Sequence, residues 1–310
     1  MIDKQKLIKA KKRAKNDALL YLLLLPVLAW YILFCYLPIA GGISLSLRNF
    51  RFDMGIWNSP FVGLTHFKSM MSDGDFIRAA KNTLIISMGR IFFQMPCAIL
   101  VAIFLNEIRA EKLRKRFQTI ITFPHFISWV VLAGILSNVF GSGGIVNQLL
   151  ALLGMEAISP ITQSDSFRVF IWLSNIWKEV GWDSIIYLAA ITSIDPGLYE
   201  AAEADGAGRL QRIWHITLPG IKGTVAIMLI LAIGQVMTNG SFDQIFNLYS
   251  SPVYKVGDTL DTYIFRESFI NGGINYGYSA AIGMFKSLIG VVLITISNKI
   301  VTALGENGLY

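Results

Sequence analysis

Apolar residues in this chain gather into long runs, and the polar residues fall in short clusters between them. A helix that crosses a bilayer needs about 20 mostly apolar residues, within a range of roughly 17 to 25. Six stretches meet that length: Ala18 to Leu47, Thr83 to Leu105, Ile120 to Phe140, Arg168 to Thr192, Thr224 to Ile245 and Ser279 to Val301. Each is expected to be helical, because an open strand edge in hydrocarbon would leave backbone groups without partners. The first run is longer than a span requires, and Pro26 and Pro38 are expected to bend it. The pattern predicts an all-α, polytopic helical bundle forming one membrane domain over residues 18–310, behind a basic leader over residues 1–17.

Composition agrees with that pattern. Of the 310 residues 54% are hydrophobic and 15% charged, and the mean hydropathy is +0.55, where soluble domains average about 45 to 50% apolar and 25% charged. A net charge of +7 could indicate nucleic acid. The basic residues lie beside apolar runs, however, with no zinc-finger or RNA-binding signature, so no nucleic-acid partner is expected. Cys35 and Cys97 both sit inside apolar runs and read as small buried hydrophobes, not as a disulfide or a metal site. His125 has no partner at metal-ligand spacing either and is expected to be a hydrogen-bonded interfacial residue. Lys4 to Lys15 followed by an apolar stretch looks like the start of a secretory signal. The apolar run continues past Tyr36 with no small-residue cleavage site, so it is expected to be an uncleaved first span.

Lys and Arg then orient the spans, since cytoplasmic flanks carry the excess. With the N-terminus inside, the inner flanks hold the leader's Lys4, Lys6, Lys9, Lys11, Lys12, Arg13 and Lys15. They also hold Arg109, Lys112, Arg114, Lys115 and Arg116, together with Arg209, Arg212, Lys222 and Lys299. The outer flanks hold Arg48, Arg51, Lys68, Arg78, Lys81, Lys255 and Arg266. Both termini are therefore expected on the cytoplasmic side of a multi-pass protein.

This orientation places residues 195–222, between the fourth and fifth spans, in the cytoplasm. The segment reads as helix, turn, helix. Asp195 can cap, Pro196 suits a first helical position, and Glu200 to Ala204 favour helix. Gly206 and Gly208 allow a turn, and Pro219 precedes the next span. In the second helix Leu210, Ile213, Trp214 and Thr217 share a face opposite Arg209 and Arg212, which predicts an amphipathic helix lying against the membrane. On these grounds alone it could equally be an interfacial hairpin that only connects two spans.

Glu200-Ala201-Ala202, then Gly206 after three residues, then Ile216-x-Leu218-Pro219 after nine more, resembles the signature loop of ATP-binding cassette (ABC) importer permeases at every fixed place. The likeness extends along most of the chain. Phe123 to Val130, Asp258 to Arg266, Gly283 to Gly290 and the final Gly305 to Tyr310 resemble the carbohydrate-importer permeases, particularly the LplB-like polysaccharide or oligosaccharide branch. The resemblance implies a type I ABC importer permease fold and a bacterial cell-membrane location. Its implied partners are a second permease, two ATPase subunits and an extracytoplasmic binding protein that delivers an oligosaccharide. Glu200, Ala201, Ala202, Asp205, Gly206, Ile216, Leu218 and Pro219 would then couple the spans to the ATPase by alternating access. The chain has no Gly-x-x-x-x-Gly-Lys-Ser/Thr run, so ATP and Mg belong to the partner ATPase, and this chain is expected to bind no cofactor or metal and to be no enzyme by itself.

Polar residues within spans are the default candidates for the substrate path. Asn175, Glu179 and Asp183 recur every four residues on the fourth span, with Lys178 and Trp182 as an adjacent stripe, a combination that could bind sugar hydroxyls and ring faces. The fifth span would add Gln235, Asn239 and Asp243 at the same spacing, and the second pairs Arg90 with Gln94; Lys286 on the sixth could neutralise an acid. The same residues serve equally as helix-packing contacts. An importer of another small solute, such as a monosaccharide or glycerol phosphate, stays open. A secondary transporter, which would work alone on a gradient, is a further alternative. Membrane lipid is an expected neighbour, and the basic leader is suited to anionic headgroups.

Overall fold

The computed structural model describes residues 18–238, 242–270, 275–306 and 308–309. The basic leader, Asn239 and Tyr310 lie outside the described residues. The described residues are mostly helical, with one isolated antiparallel bridge between Arg48 and Phe61. The chain packs as two compact units, Met1–Ser69 with Asn275–Met284, and Met70–Ile274 with Phe285–Tyr310.

The first unit contains α1 (Ala18–Ser46), whose apolar window has none of its residues buried. Pro26 lies inside this helix and Pro38 follows a five-residue π turn, Ile32–Tyr36, closed by the Leu37 N–H donating to Ile32 O. A proline lacks an N–H and presses on the carbonyl four residues back. One widened turn just before it relieves that conflict, and the helix runs on through both prolines. After α1 the chain folds back: Val62 N–H donates to Leu47 O at 2.9 Å and the Arg48 guanidinium to Ser59 O at 2.7 Å. Gly277, at the start of α11 (Tyr276–Ala303), needs its missing side chain, because a Cβ there would lie 2.5 Å from Arg48 O and 2.6 Å from the His66 ring.

The second unit is built on α2 (Gly74–Glu107) and α6 (Ser164–Thr192), which pack together more extensively than any other pair. Asp73 starts α2 by accepting the N–H groups of Asp75 and Phe76 at 2.8 and 3.3 Å, a cap of the kind worth about 1 kcal/mol. Gly89 brings the helices close, since a Cβ would sit 2.2 Å from the Trp172 ring, and the Trp172 indole N–H donates to Ile86 O at 3.0 Å. Near the start of α6, Arg168 ties the pair to its neighbours by donating to Asn82 at 2.8 Å and to Val256 O at 3.1 Å. Farther along, the buried side chains of Ala98, Ala102, Tyr187, Ile191 and Ile221 form a core against which Leu218 packs.

Three spans differ in detail from the sequence pattern. The run Ile120 to Phe140 is not one helix: α3 (Glu111–Thr122) ends in a 3-10 turn at Phe123–Phe126, and α4 (Trp129–Phe140) begins afresh from Ser128, whose hydroxyl accepts Val131 N–H. Pro124 in that turn cannot donate to a continuing helix. The apolar crossing instead runs Trp129–Leu152, through a turn at residues 141–144 into α5 (Ile145–Leu152). The run Thr224 to Ile245 is also broken. Following α7 (Pro196–Ala204), α8 (Arg209–Gly220) meets α9 (Lys222–Gly234) at 57°. Helix α9 stops at Gly234, and α10 (Phe242–Leu248) is a separate short helix. Gly234 combines low helix propensity with a tight crossing, its absent Cβ standing 3.0 Å from Ile294. Third, α6 has the length for a span, with Asp165, Arg168, Lys178, Glu179 and Asp183 along it. Among the described residues four segments are long and apolar enough to cross a membrane, Ala18–Ser46, Gly74–Glu107, Trp129–Leu152 and Tyr276–Ala303, and a fifth if the bent pair α8 and α9 counts as one.

Candidate functional site

Two regions of the second unit carry the candidate chemistry. The first is a cavity of about 460 Å³ between α2, α6 and α9. Its polar lining comes from Arg90 and Gln94 on α2, Asn175, Glu179 and Asp183 on α6, and Gln235 just past α9. Trp129, Met95 and Tyr187 contribute apolar surface. The four-residue spacing on α6 therefore does place three polar groups on one wall, and α2 supplies the facing pair.

These groups are linked to one another. Asn175 donates its amide to the Gln94 carbonyl, and the Gln94 amide donates to Asp183. Arg90 donates to Gln244, whose own amide donates to Ile171 O at 2.8 Å and to Ser174 Oγ at 2.9 Å. Gln244, fully buried, is thus the residue by which α10 reaches Arg90. The sequence spacing singled out its neighbour Asp243, on the premise of an unbroken fifth helix. Because that helix ends at Gly234, Asp243 falls in the first turn of α10, exposed and away from the cavity. Gln235 remains at the cavity; Asn239 is outside the described residues.

Lys178 and Trp182 also do not line the cavity. Lys178 is buried behind the wall, donating to Glu179 at 2.7 Å and to His125 O at 2.7 Å, with its ammonium 5.6 Å from the centre of the Trp129 ring. Trp182 stacks on the His125 imidazole, ring centroids 4.3 Å apart and planes within 5°. The tryptophan available to a cavity occupant is Trp129, which stood out from sequence only as part of the Phe123 to Val130 run. His125 itself meets Glu179 at 2.5 Å through Nδ1. A lone His with no metal spacing gave no sign of this partner, which comes from another helix. Lys286 pairs with Asp261, an acid supplied by the short helix Leu260–Phe265.

The second region is the loop after α6. Asp195 caps α7 by accepting Gly197 N–H at 2.9 Å, and α7 ends in a Schellman turn. Ala207 N–H donates to Ala202 O at 2.8 Å, Gly206 N–H donates to Glu203 O at 3.0 Å, and Gly206 adopts φ +79°. Only a residue free of Cβ strain takes that conformation readily. Glu200, Ala201, Asp205 and Pro219 are exposed, while Ala202, Ile216 and Leu218 are half-buried. Two side-chain bonds hold α7 to α8: Arg212 to Glu203 at 2.8 Å and Tyr199 to Thr217 at 2.9 Å. Between them lies a cleft of about 300 Å³ lined by Ala202, Asp205, Gly206, Arg212 and Ile216 among others.

The expected amphipathic face of α8 is only partly realised. Leu210 and Trp214 are exposed, but Thr217 is buried and bonded to Tyr199. A π turn at Ile213–Thr217, in which Leu218 N–H donates to Ile213 O, shifts the register after the first turn. The extra residue in that turn removes Thr217 from the Leu210 stripe.

Residues 94–306 match the model of the family described as binding-protein-dependent transport system inner membrane component. The chain is 38% identical to Protein LplB of Bacillus subtilis (strain 168), across 96% of this chain and 92% of that protein. It is 39% identical to the polygalacturonan/rhamnogalacturonan transport system permease protein YteP of the same organism, across 94% and 90% respectively. Among solved structures it is similar to a chain of a bacterial alginate ABC transporter in complex with an alginate pentasaccharide-bound periplasmic protein. That match has a TM-score of 0.87 at 37% identity, covering 96% of this chain and 99% of that one.

Proposed function

The chain belongs to the binding-protein-dependent transport system inner membrane component family, and we propose that it is the permease subunit of an ABC importer that carries oligosaccharides or polysaccharide fragments through the bacterial cell membrane. The observation that carries the reading is the near full-length likeness to LplB, to YteP and to a permease of the alginate transporter. A second permease would complete the pathway, two ATPase subunits would bind ATP and Mg, and an extracytoplasmic binding protein would deliver the sugar. Both termini would face the cytoplasm.

Within this reading the two regions divide the work. Helix α7 is the segment offered to the ATPase. Small, exposed Ala201 and half-buried Ala202 permit close approach, Glu200 presents a charge for pairing, and the Gly206 turn returns the chain to α8 and the membrane. The cavity is the segment offered to the sugar. Asn175, Gln94, Gln235, Glu179 and Asp183 present amide and carboxylate oxygens for hydroxyl groups, and Trp129 an apolar ring face. The cross-links among these groups keep them oriented before sugar arrives, which lowers the ordering cost of binding. ATP-driven closure of the ATPase pair would move α7, and α6, joined to it through Ser193–Asp195, would carry that motion to the cavity wall.

The test is purification of the tagged chain from its native membrane, followed by uptake measurements in proteoliposomes with the co-purified subunits and binding protein. The expected result is a complex holding an ATPase and a second permease, with oligosaccharide uptake that requires ATP. Gradient-driven uptake by the single chain would overturn the proposal.

A further inference from the structure

The break between α3 and α4 is fastened to α6 by groups that a mere helix junction does not need. His125, in the 3-10 turn at Phe123–Phe126, is held at three points. Its ring meets Glu179 at 2.5 Å, its carbonyl accepts Lys178 at 2.7 Å, and its ring face lies flat on Trp182 at 4.3 Å. Lys178 and Glu179 also bond to each other at 2.7 Å, which closes the fastening into a ring of charge-assisted bonds. One turn away, Gly181 of α6 packs against main chain: the three atoms nearest to a Cβ built there are Ile121 O at 2.2 Å, Ile121 C at 2.4 Å and Thr122 N at 2.7 Å, in the last residues of α3. The end of α3 and the middle of α6 are therefore in backbone contact, locked by a partly buried polar clamp.

Helix α6 continues to Thr192 and passes through three residues into α7. The geometry points to a single rigid lever: His125 is a positioning residue that makes the basic cytoplasmic helix α3 move with α7, the segment assigned above to the ATPase. This inference rests on that assignment. It places a second cytoplasmic element, α3, under the control of nucleotide, and it gives Lys178 and Trp182 a role that the cavity does not.

Double electron–electron resonance on the assembled importer tests it, using no substrate. Spin labels are placed pairwise at the exposed positions Lys112 on α3, Ala204 on α7 and Lys299 on α11, in a chain with Cys35 and Cys97 replaced by serine. Distances are compared between the nucleotide-free complex and the complex trapped with ATP and vanadate. The inference expects the 204–299 distance to change while the 112–204 distance holds to within about 2 Å, the size of an ordinary interface helix shift. In His125→Ala the 112–204 distance should broaden or shift by more than that on trapping. His125→Phe, which keeps the ring on Trp182 and loses the bond to Glu179, serves if the alanine variant does not assemble, and should loosen the pair as well. A merely structural histidine would lower the yield of complex and leave the 112–204 response of the assembled fraction unchanged. A parental 112–204 distance that changes on trapping, or both variants remaining locked, would overturn the lever. If neither distance responds in the parent, the ATPase assignment of α7 fails and the lever falls with it; a moving 204–299 pair with an unlocked 112–204 pair defeats the lever alone.

Discussion

Substituting Gly206 separates the folding of the loop from its use. At φ +79° an L-residue with a Cβ pays about 1 to 2 kcal/mol in the left-handed region, asparagine less because its side chain bonds locally. No heavy atom lies within 4 Å of a Cβ built there, so no overlap adds to that cost. Opposing it are the two Schellman bonds at 2.8 and 3.0 Å, each worth about 0.5 to 1.5 kcal/mol net, together with the Arg212–Glu203 and Tyr199–Thr217 bonds across the cleft. The turn should therefore survive in Gly206→Ala and Gly206→Asn, and the chain should reach the membrane in parental amounts. Gly206→Asp carries a similar backbone cost but adds a carboxylate beside Asp205, in a segment already bearing Glu200 and Glu203 and proposed above to meet the ATPase. The expectation is normal membrane insertion for all three by quantitative blotting, ATP-driven uptake retained in part by the alanine and asparagine variants, and uptake abolished by aspartate. Parental uptake by Gly206→Asp would refute the role of this turn in coupling, and disappearance of Gly206→Ala from the membrane would refute the energy balance.

Other expectations follow from buried charge and from the broken fifth span. Asp258 is fully buried and accepts from Arg266 at 2.6 and 3.0 Å; that hydrogen bonding, against the opposing pull of burial, holds the guanidinium above its already high pKa. Arg266→Met should cost about 3 to 5 kcal/mol by leaving the carboxylate uncompensated, read as a lower thermal midpoint in detergent, and Arg266→Met with Asp258→Asn should recover most of it; a single variant as stable as the parent would count against the pair. Lys178→Met should likewise impair the assembled importer, and Lys178→Met with Glu179→Gln should restore its thermal midpoint by removing both charges of the 2.7 Å pair; failure of that restoration would place the Lys178 contribution in its bond to His125 O. Gln235→Ala should weaken sugar-stimulated ATPase activity while Asp243→Ala should leave it near the parental level, and the reverse order would restore the continuous fifth helix.

Hydropathy made most of the helices legible, and the residues from Asp195 to Pro219 made their helix, turn and helix legible, because each depends on residues close together in the chain. The α6 wall was legible for the same reason: Asn175, Glu179 and Asp183 share a face by helix period alone. What escaped was set by contacts between distant segments. Gln244 matters because it reaches Arg90, 154 positions earlier, from a helix that begins afresh at Phe242 after α9 stops at Gly234. Trp182 has the chemistry of a sugar platform, but His125, more than fifty positions earlier, stacks on its ring. The register of α8 turns on a single π turn, which no periodicity rule signals.

The contact between Gly181 and the end of α3 has a genetic consequence. Most steric conflicts in a protein have two remedies, since either partner can be made smaller. Here the opposing atoms are the Ile121 carbonyl and the Thr122 amide, which every codon encodes alike. A Gly181→Ala lineage selected for recovered uptake should therefore return by true reversion at codon 181 rather than by a suppressor in residues 111–122. In evolutionary terms the seam admits drift on the α3 side and almost none on the other.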